Sequence, residues 1–211
     1  MNKLVLALVP LLAAPLLALG PQKRVQQKTA ADFPTLLENA NKSWQAGDYG
    51  QCTSHLRDAL MLCTAKRAEA ILAALPPAPE GYEVEVDRSM QDAANNPMLG
   101  AMAAAVGNVV QQDYNGPEHI QVTVTADSPL VGMFSMWVAN PAMLDQDSEL
   151  IEYGAHKAVL KKTDDGRSRE LLILINGEHT CQIDYQGSRE DFLFDLFDQA
   201  VVDRLAKVLG R

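Results

Sequence analysis

Residues 170–185, ELLILINGEHTCQIDY, decide the fold. Residues 171–175 are apolar at every position, the pattern of a strand buried on both faces, so the sheet should carry helices or loops on both sides. Asn176-Gly177 is a two-residue hairpin signal, because both residues accept the left-handed backbone that a type I′ turn demands. Residues 179–185 then return as an antiparallel partner.

Upstream of this hairpin, residues 149–153 and 157–162 read as a second one around Gly154, and Asp164-Asp165-Gly166 turns the chain into residue 170. Strand patterns also appear at 82–86, where YEVEV alternates, at 109–114, and at 120–126 within HIQVTVTA. Asp127-Ser128-Pro129 predicts a helix start, a capping oxygen followed by a proline pre-set for the first turn. That helix continues through Met133, Phe134, Met136 and Trp137 to about Ala139, ahead of Asn140-Pro141. A last helix opens at Ser188, with Asp191 completing an imperfect capping box. Phe192, Leu193, Leu196, Phe197, Ala200, Val201, Leu205 and Val208 form its buried face. The order β-β-β-α-β-β-β-β-α argues an antiparallel α+β sandwich, with a mostly antiparallel sheet of about six strands packed with helices over residues 82–211.

Residues 32–75 predict a helical hairpin. Asp32 caps the first helix, Pro34 sits in its opening turn, and Phe33, Leu36, Leu37, Ala40 and Trp44 recur at helical spacing until Gly47-Asp48. The second helix carries Tyr49, Cys52, Leu56, Ala59, Leu60, Cys63, Ala70, Ile71 and Ala74 on one face. It stops before Pro76-Pro77, since a residue preceding proline avoids the α region. Residues 76–81 form a stiff proline-rich linker and mark the best domain boundary. The small-residue segment 89–107 has no clean period and is assigned to no element.

Residues 1–19, MNKLVLALVPLLAAPLLAL, predict a signal segment over 1–20: Lys3 precedes an apolar run too short for a bilayer and broken by Pro10 and Pro15. Ala18-Leu19-Gly20 has the small-x-small form of a cleavage site, but Pro21 after it is an awkward substrate, so cleavage elsewhere or retention as an anchor stays open. The expected address is periplasmic or secreted. The remaining composition, 47% hydrophobic and 21% charged, is that of a globular protein. A net charge of −9 with 18 Lys+Arg argues against nucleic acid and anionic lipid, both of which need a basic surface.

No catalytic, cofactor or metal site is expected, and each candidate has a structural reading that outweighs it. Cys52 and Cys63 project about 20° apart but stand ~16 Å apart along a continuous helix, too far for a disulfide. One of them pairs with Cys181, or all three are buried thiols, the favoured reading. His119 and His179 follow glutamates at strand starts and read as edge or turn residues at the sheet surface; His55 reads as a packing residue, and His156 belongs to no compact ligand spacing. His179 and Cys181 share a strand face, but parallel side chains ~7 Å apart do not form a nucleophile–base pair without bending. Ser128 is explained by capping. Asp145, Asp147 and Glu149 suggest a solvated acidic turn over a Ca²⁺ loop, and Asp113, Glu118, Asp164 and Asp165 solvated turn residues. Met133-x-x-Met136 reads as helical core, with a partner groove second; Met90, Met98, Met102 and Met143 fall in or beside the same segments.

Two resemblances bear on these patterns. WQAGDYGQC (44–52) followed by HLRDAL (55–60) resembles one tetratricopeptide unit; a solenoid needs about three such units, so a lone hairpin must lean on the rest of the chain or on another subunit. The succession WQAGDY, LPPAPEGY, VTVTADSP, an Asn-Pro pair and EYGAHKA resembles a family of uncharacterised exported bacterial proteins, many of them proteobacterial, and the sheet arrangement is similar to PsbP-like α/β/α sandwiches. Neither resemblance implies an activity for named residues. The leading expectation is an exported, non-catalytic protein that binds another protein or a second copy of itself, through segment 89–107 or the hairpin's outer face. The alternatives are a carrier of a small apolar ligand near Met133 and Trp137, and a cryptic hydrolase-like enzyme using His179, Cys181 or Ser128.

Overall fold

A computed structural model describes residues 31–87, 108–128, 131–163 and 167–210. The signal segment, the stretch 89–107 with Met90, Met98 and Met102, and Asp164 and Asp165 lie outside the described residues. The chain runs α1 (Phe33–Gln45), α2 (Tyr49–Ala74), β1 (Glu83–Asp87), β2 (Asn108–Asn115), β3 (His119–Ala126) and α3 (Val131–Ala139). It continues through a 3₁₀ turn (Pro141–Met143), β4 (Ser148–Tyr153), β5 (His156–Lys162), β6 (Ser168–Ile175), β7 (His179–Gln186), α4 (Glu190–Leu196) and α5 (Gln199–Leu209).

All seven strands join one sheet in the order β1-β2-β3-β7-β6-β5-β4, every neighbouring pair antiparallel. The count is seven rather than about six: all seven segments with a strand pattern join the one sheet, the short one after the proline linker pairing along its whole length with β2 as an edge strand. The fold is therefore α+β with an N-terminal helical hairpin. Connections are mostly hairpins; the passage from β3 at the centre to β4 at the far edge runs through α3.

The β6–β7 hairpin turns and resumes at His179 where expected, but its loop has three residues in place of two. Asn176 and Gly177 take φ of 54° and 76°, and Glu178 N–H closes on Ile175 O at 3.2 Å. The ladder, however, pairs Ile175 with His179, leaving Glu178 in the turn. Facing residues in a ladder point to one side, so this register sends Leu171, Ile173 and Ile175 inward together with His179, Cys181, Ile183 and Tyr185. Pairing Ile175 with Glu178 instead would have turned a carboxylate into the core. Leu172 and Leu174 face the other way, where Phe134, Val138 and Val159 form a smaller second core beneath α3. Both sheet faces are thus covered at β6, as an all-apolar strand requires.

The main core lies between the sheet and α2, α4 and α5. Ala68, Ile71, Ala74 and Leu75 pack there with Val110, Tyr114, Ile120, Leu193, Phe197 and Leu205. Only the second half of α2 reaches the sheet in this way. Arg67 Nη2 donates to Leu209 O at 3.2 Å, Tyr114 Oη to Pro76 O at 2.8 Å, and Arg204 Nε to Ala74 O at 3.3 Å, which ties α2 to the linker, the sheet and α5.

Helix starts follow their caps. The Asp32 carboxylate accepts from Thr35 N–H at 3.0 Å, and Asp48 from Gln51 N–H at 3.0 Å. The continuous helix expected from residue 188 is two helices, because Asp198 accepts from Val201 N–H at 2.9 Å and restarts the chain as an N-cap. Nor does Ser188 cap α4. Its N–H and that of Arg189 donate to Glu118 Oε1 at 2.9 and 3.2 Å, so a carboxylate seventy residues away fills the capping role.

Glu118 is therefore a partly buried latch rather than a solvated turn residue. Arg189 Nε and Nη2 each reach its Oε2 at 3.0 Å, and the guanidinium also stacks 4.0 Å from the Phe192 ring centroid. Burial alone would raise the Glu118 pKa. Donations from Arg189, the Ser188 N–H, Tyr185 and the Arg189 N–H outweigh it and hold the carboxyl at about 2, well below the ordinary 4.5. A carboxyl depressed by folding stabilises the folded state above its unfolded pKa, and that contribution is lost as pH falls through the folded value. Urea unfolding of the protein should therefore show stability declining between about pH 4.5 and 2. Glu118→Gln should lower stability at pH 7 by about 1–2 kcal/mol and flatten that decline. An unchanged pH profile in the variant would remove Glu118 as its source.

Candidate functional site

The sequence candidates for chemistry are brought together only inside the protein. His179, expected at the sheet surface, is 2% exposed, because the β6–β7 register places it on the inward parity of β7. Its Nδ1 accepts the Asp127 N–H at 3.3 Å. Asp127 holds a left-handed φ of 58°, and its carboxylate pairs with Arg67 of α2. Cys181, two residues on, is wholly buried, and burial pushes its thiol up to about 12, so it stays protonated at neutral pH. Ser128 is also buried. A substrate reaches neither His179 nor Cys181 without the core opening.

The remaining candidates disperse. All three cysteines are free thiols; Cys52 and Cys181 are buried, whereas Cys63 is exposed, contrary to the expectation of three buried thiols. His119 stays near the surface, with Nδ1 3.0 Å from Asn115 Oδ1. Asp113 is not a turn residue: it lies within β2 and accepts from Gln121 Nε2 at 3.0 Å and Gln111 Nε2 at 3.3 Å. Asp145 faces Lys161 Nζ at 3.7 Å. Among the described residues, no group of three His, Cys, Asp or Glu side chains is placed to hold a metal ion, and no helix is long and apolar enough to cross a membrane.

Met136 and Trp137 do not pack as core. They are exposed at the surface of α3, whose buried side, Phe134 and Val138, meets the sheet. Beside Trp137 lies a hollow of about 250 Å³. Met143, Leu144, Val159 and Leu172 supply its apolar walls, and Lys161 and Glu170 its polar ones. Burial raises the Glu170 pKa, Asp184 across the ladder adds to this, and Lys161 partly opposes it.

The largest departure from ordinary burial is on the helical hairpin. Leu36 and Ala40 of α1 pack against α2 through Cys52 and Ala59, which form a narrow seam. Phe33, Leu37 and Trp44 lie within about 40° of one another around α1, beside that seam and outside it. On α2, Tyr49, Leu56 and Leu60 occupy a similar sector of about 40° next to Cys52, with Cys63 at its edge. These six large side chains are exposed by 39% (Phe33) to 66% (Leu60). Trp44 and Tyr49 meet edge-on across the turn, ring centroids 5.2 Å apart, so the two sectors adjoin as one face. The Glu38–Lys42 ion pair, 2.6 Å, sits about 140–180° around α1 from Phe33, on the far side. Helical spacing reveals the apolar stripes; their exposure becomes visible only once the partner helix is seen to cover half of each. The six side chains together make one apolar surface on the hairpin.

Comparisons with family models, with curated proteins and with solved structures return no match for the chain. The site has to be read from its own geometry.

In native protein, a thiol reagent such as Ellman's should modify one cysteine, Cys63, within minutes, and all three after unfolding. Replacing Cys63 by Ser should abolish the fast reaction. Fast native labelling of Cys181 would contradict its burial.

Proposed function

We propose that this chain is an exported, periplasmic or secreted, non-catalytic scaffold that binds protein through the open face of its helical hairpin. The single observation that carries this reading is the adjoining exposure of Phe33, Leu37 and Trp44 with Tyr49, Leu56 and Leu60. Six large apolar side chains left in water cost stability that burial against a partner returns, at ~25 cal/mol per Å². Aromatic side chains such as Phe33, Trp44 and Tyr49 are enriched among the anchors of protein interfaces. The tetratricopeptide-like hairpin adds to this reading, since such units bury their faces on a neighbour. The apolar segment 1–19 supports the address. The burial of His179, Cys181 and Ser128 weighs against the hydrolase-like alternative.

The hollow beside Trp137 favours one second reading, a carrier of a small ligand. Its apolar walls suit a hydrocarbon or aromatic body, although Lys161 and Glu170 give one side a polar character that a purely apolar ligand would leave unused.

A photo-crosslinking residue placed at position 60 or 44 in intact cells should give discrete protein adducts from a cell-envelope fraction, whereas one at position 157, an exposed site on β5, should give none. Equal adducts at all three positions, or none at any, would overturn the scaffold reading. Recovery of the chain only from the cytoplasm with residues 1–19 retained would overturn the address.

A further inference from the structure

We infer that the occupant of the hairpin face is the same face of a second copy of this chain, so that two hairpins close into a four-helix bundle with the sheet domains at its flanks. This rests on the scaffold reading above and names its partner.

The shape of the exposed surface carries the first part of the argument. A helical hairpin with one side open is half of a four-helix bundle, and an identical hairpin related by a two-fold axis supplies the missing half. In a two-fold interface residue i of one copy meets residue j of the other, so the face has to be complementary to itself as a whole. Phe33, Leu37, Trp44, Tyr49, Leu56 and Leu60 suit this, being uncharged and of mixed size, so large and small side chains can interdigitate.

Charge carries the second. The whole chain has a net charge of −9, and two such molecules repel. The hairpin contributes little to that repulsion. Over residues 32–66 four acids (Asp32, Glu38, Asp48, Asp58) stand against three bases (Lys42, Arg57, Lys66), a net of −1 out of −9. Glu38 and Lys42 already neutralise one another on the side away from the face.

Area carries the third. From the exposures above and ~150–250 Å² for each aromatic side chain, the six residues offer roughly 600 Å², close to the ~800 Å² per partner of a standard specific interface once the flanking polar residues are added. Two such faces would bury roughly 1,200 Å², the lower end of specific interfaces, and more than an isolated surface hydrophobe explains.

Sedimentation velocity of the full chain from about 1 to 100 µM should show a monomer–dimer equilibrium with a midpoint in that range. Leu56→Glu/Leu60→Glu and, separately, Trp44→Glu should each weaken it by about a hundredfold or more, because each change enters the interface twice. Both variants alter exposed positions, and their far-UV circular dichroism and melting should match the parent; should one fail to fold, the other carries the test. Met136→Glu on α3, equally exposed and remote from the face, should leave the equilibrium unchanged. A parent chain that stays monomeric at about 100 µM overturns the self-pairing. If the residue-60 crosslinker then gives adducts to a different polypeptide, the scaffold reading survives with another partner, and without adducts both readings fall. Crosslinks that run within a monomer to residues 1–31 assign the face to the chain's own N-terminal segment and likewise overturn the dimer.

Discussion

The pairing of Ile175 with His179 is the constraint on which the rest of the structure depends. Strand side chains alternate with a period of two, so one pairing fixes the facing of every residue on both strands and, through β3 and β5, of the neighbours they pair with. With it set, Ile120, Val122 via its neighbours, and Ala158 and Leu160 join one inward surface. The turn absorbs the mismatch by keeping Glu178 out of the ladder. The apolar side chains of β6 and β7 can share a face only in that register, and a slip of one residue would submerge Glu178, Gln182 and Asp184.

The inward surface explains how the helices are arranged. α5 and the second half of α2 lie on it together, and both present small or branched residues, Ala68, Ala74, Val201 and Val202, that allow close approach. The Glu118 carboxylate then fixes where α4 begins by taking the N–H groups of Ser188 and Arg189. This is a tertiary cap: the negative charge sits at the helix start, where the backbone dipole favours it, but comes from the β2–β3 turn. Tyr153 of β4 donates to Phe197 O at the far end of α4, so that short helix is held at both termini.

What remains outside that core is the first half of α2 with α1. A two-helix unit has one seam, and here the seam consumes Leu36, Ala40, Cys52 and Ala59. Phe33, Leu37, Trp44, Tyr49, Leu56 and Leu60, beyond it, face water. The same arithmetic makes solenoid repeats stack, since each pair of helices carries more apolar surface than it can bury alone. The sheet domain, with its own filled core and its negative charge, is the anchor from which this face is presented.

The sequence by itself determined the elements and their order. Alternation, helical spacing, the caps Asp32 and Asp48, and the turn residues Gly154 and Asn176-Gly177 are local signals, each legible within a few residues. It did not contain the facing of His179, the role of Glu118, the break at Asp198 or the exposure of Leu56, Leu60 and Cys63. His179 and Glu118 take their surroundings from residues 52 and 70 positions away, Asp127 and Ser188. The Asp198 break is local, but the apolar period runs through it and hides it. The open hairpin face is decided by how much surface a single partner helix can cover, a quantity that exists only when the chain is packed. Local chemistry names the elements because backbone bonding and steric preference act over one turn; tertiary structure assigns burial because exclusion of water is a property of the whole surface.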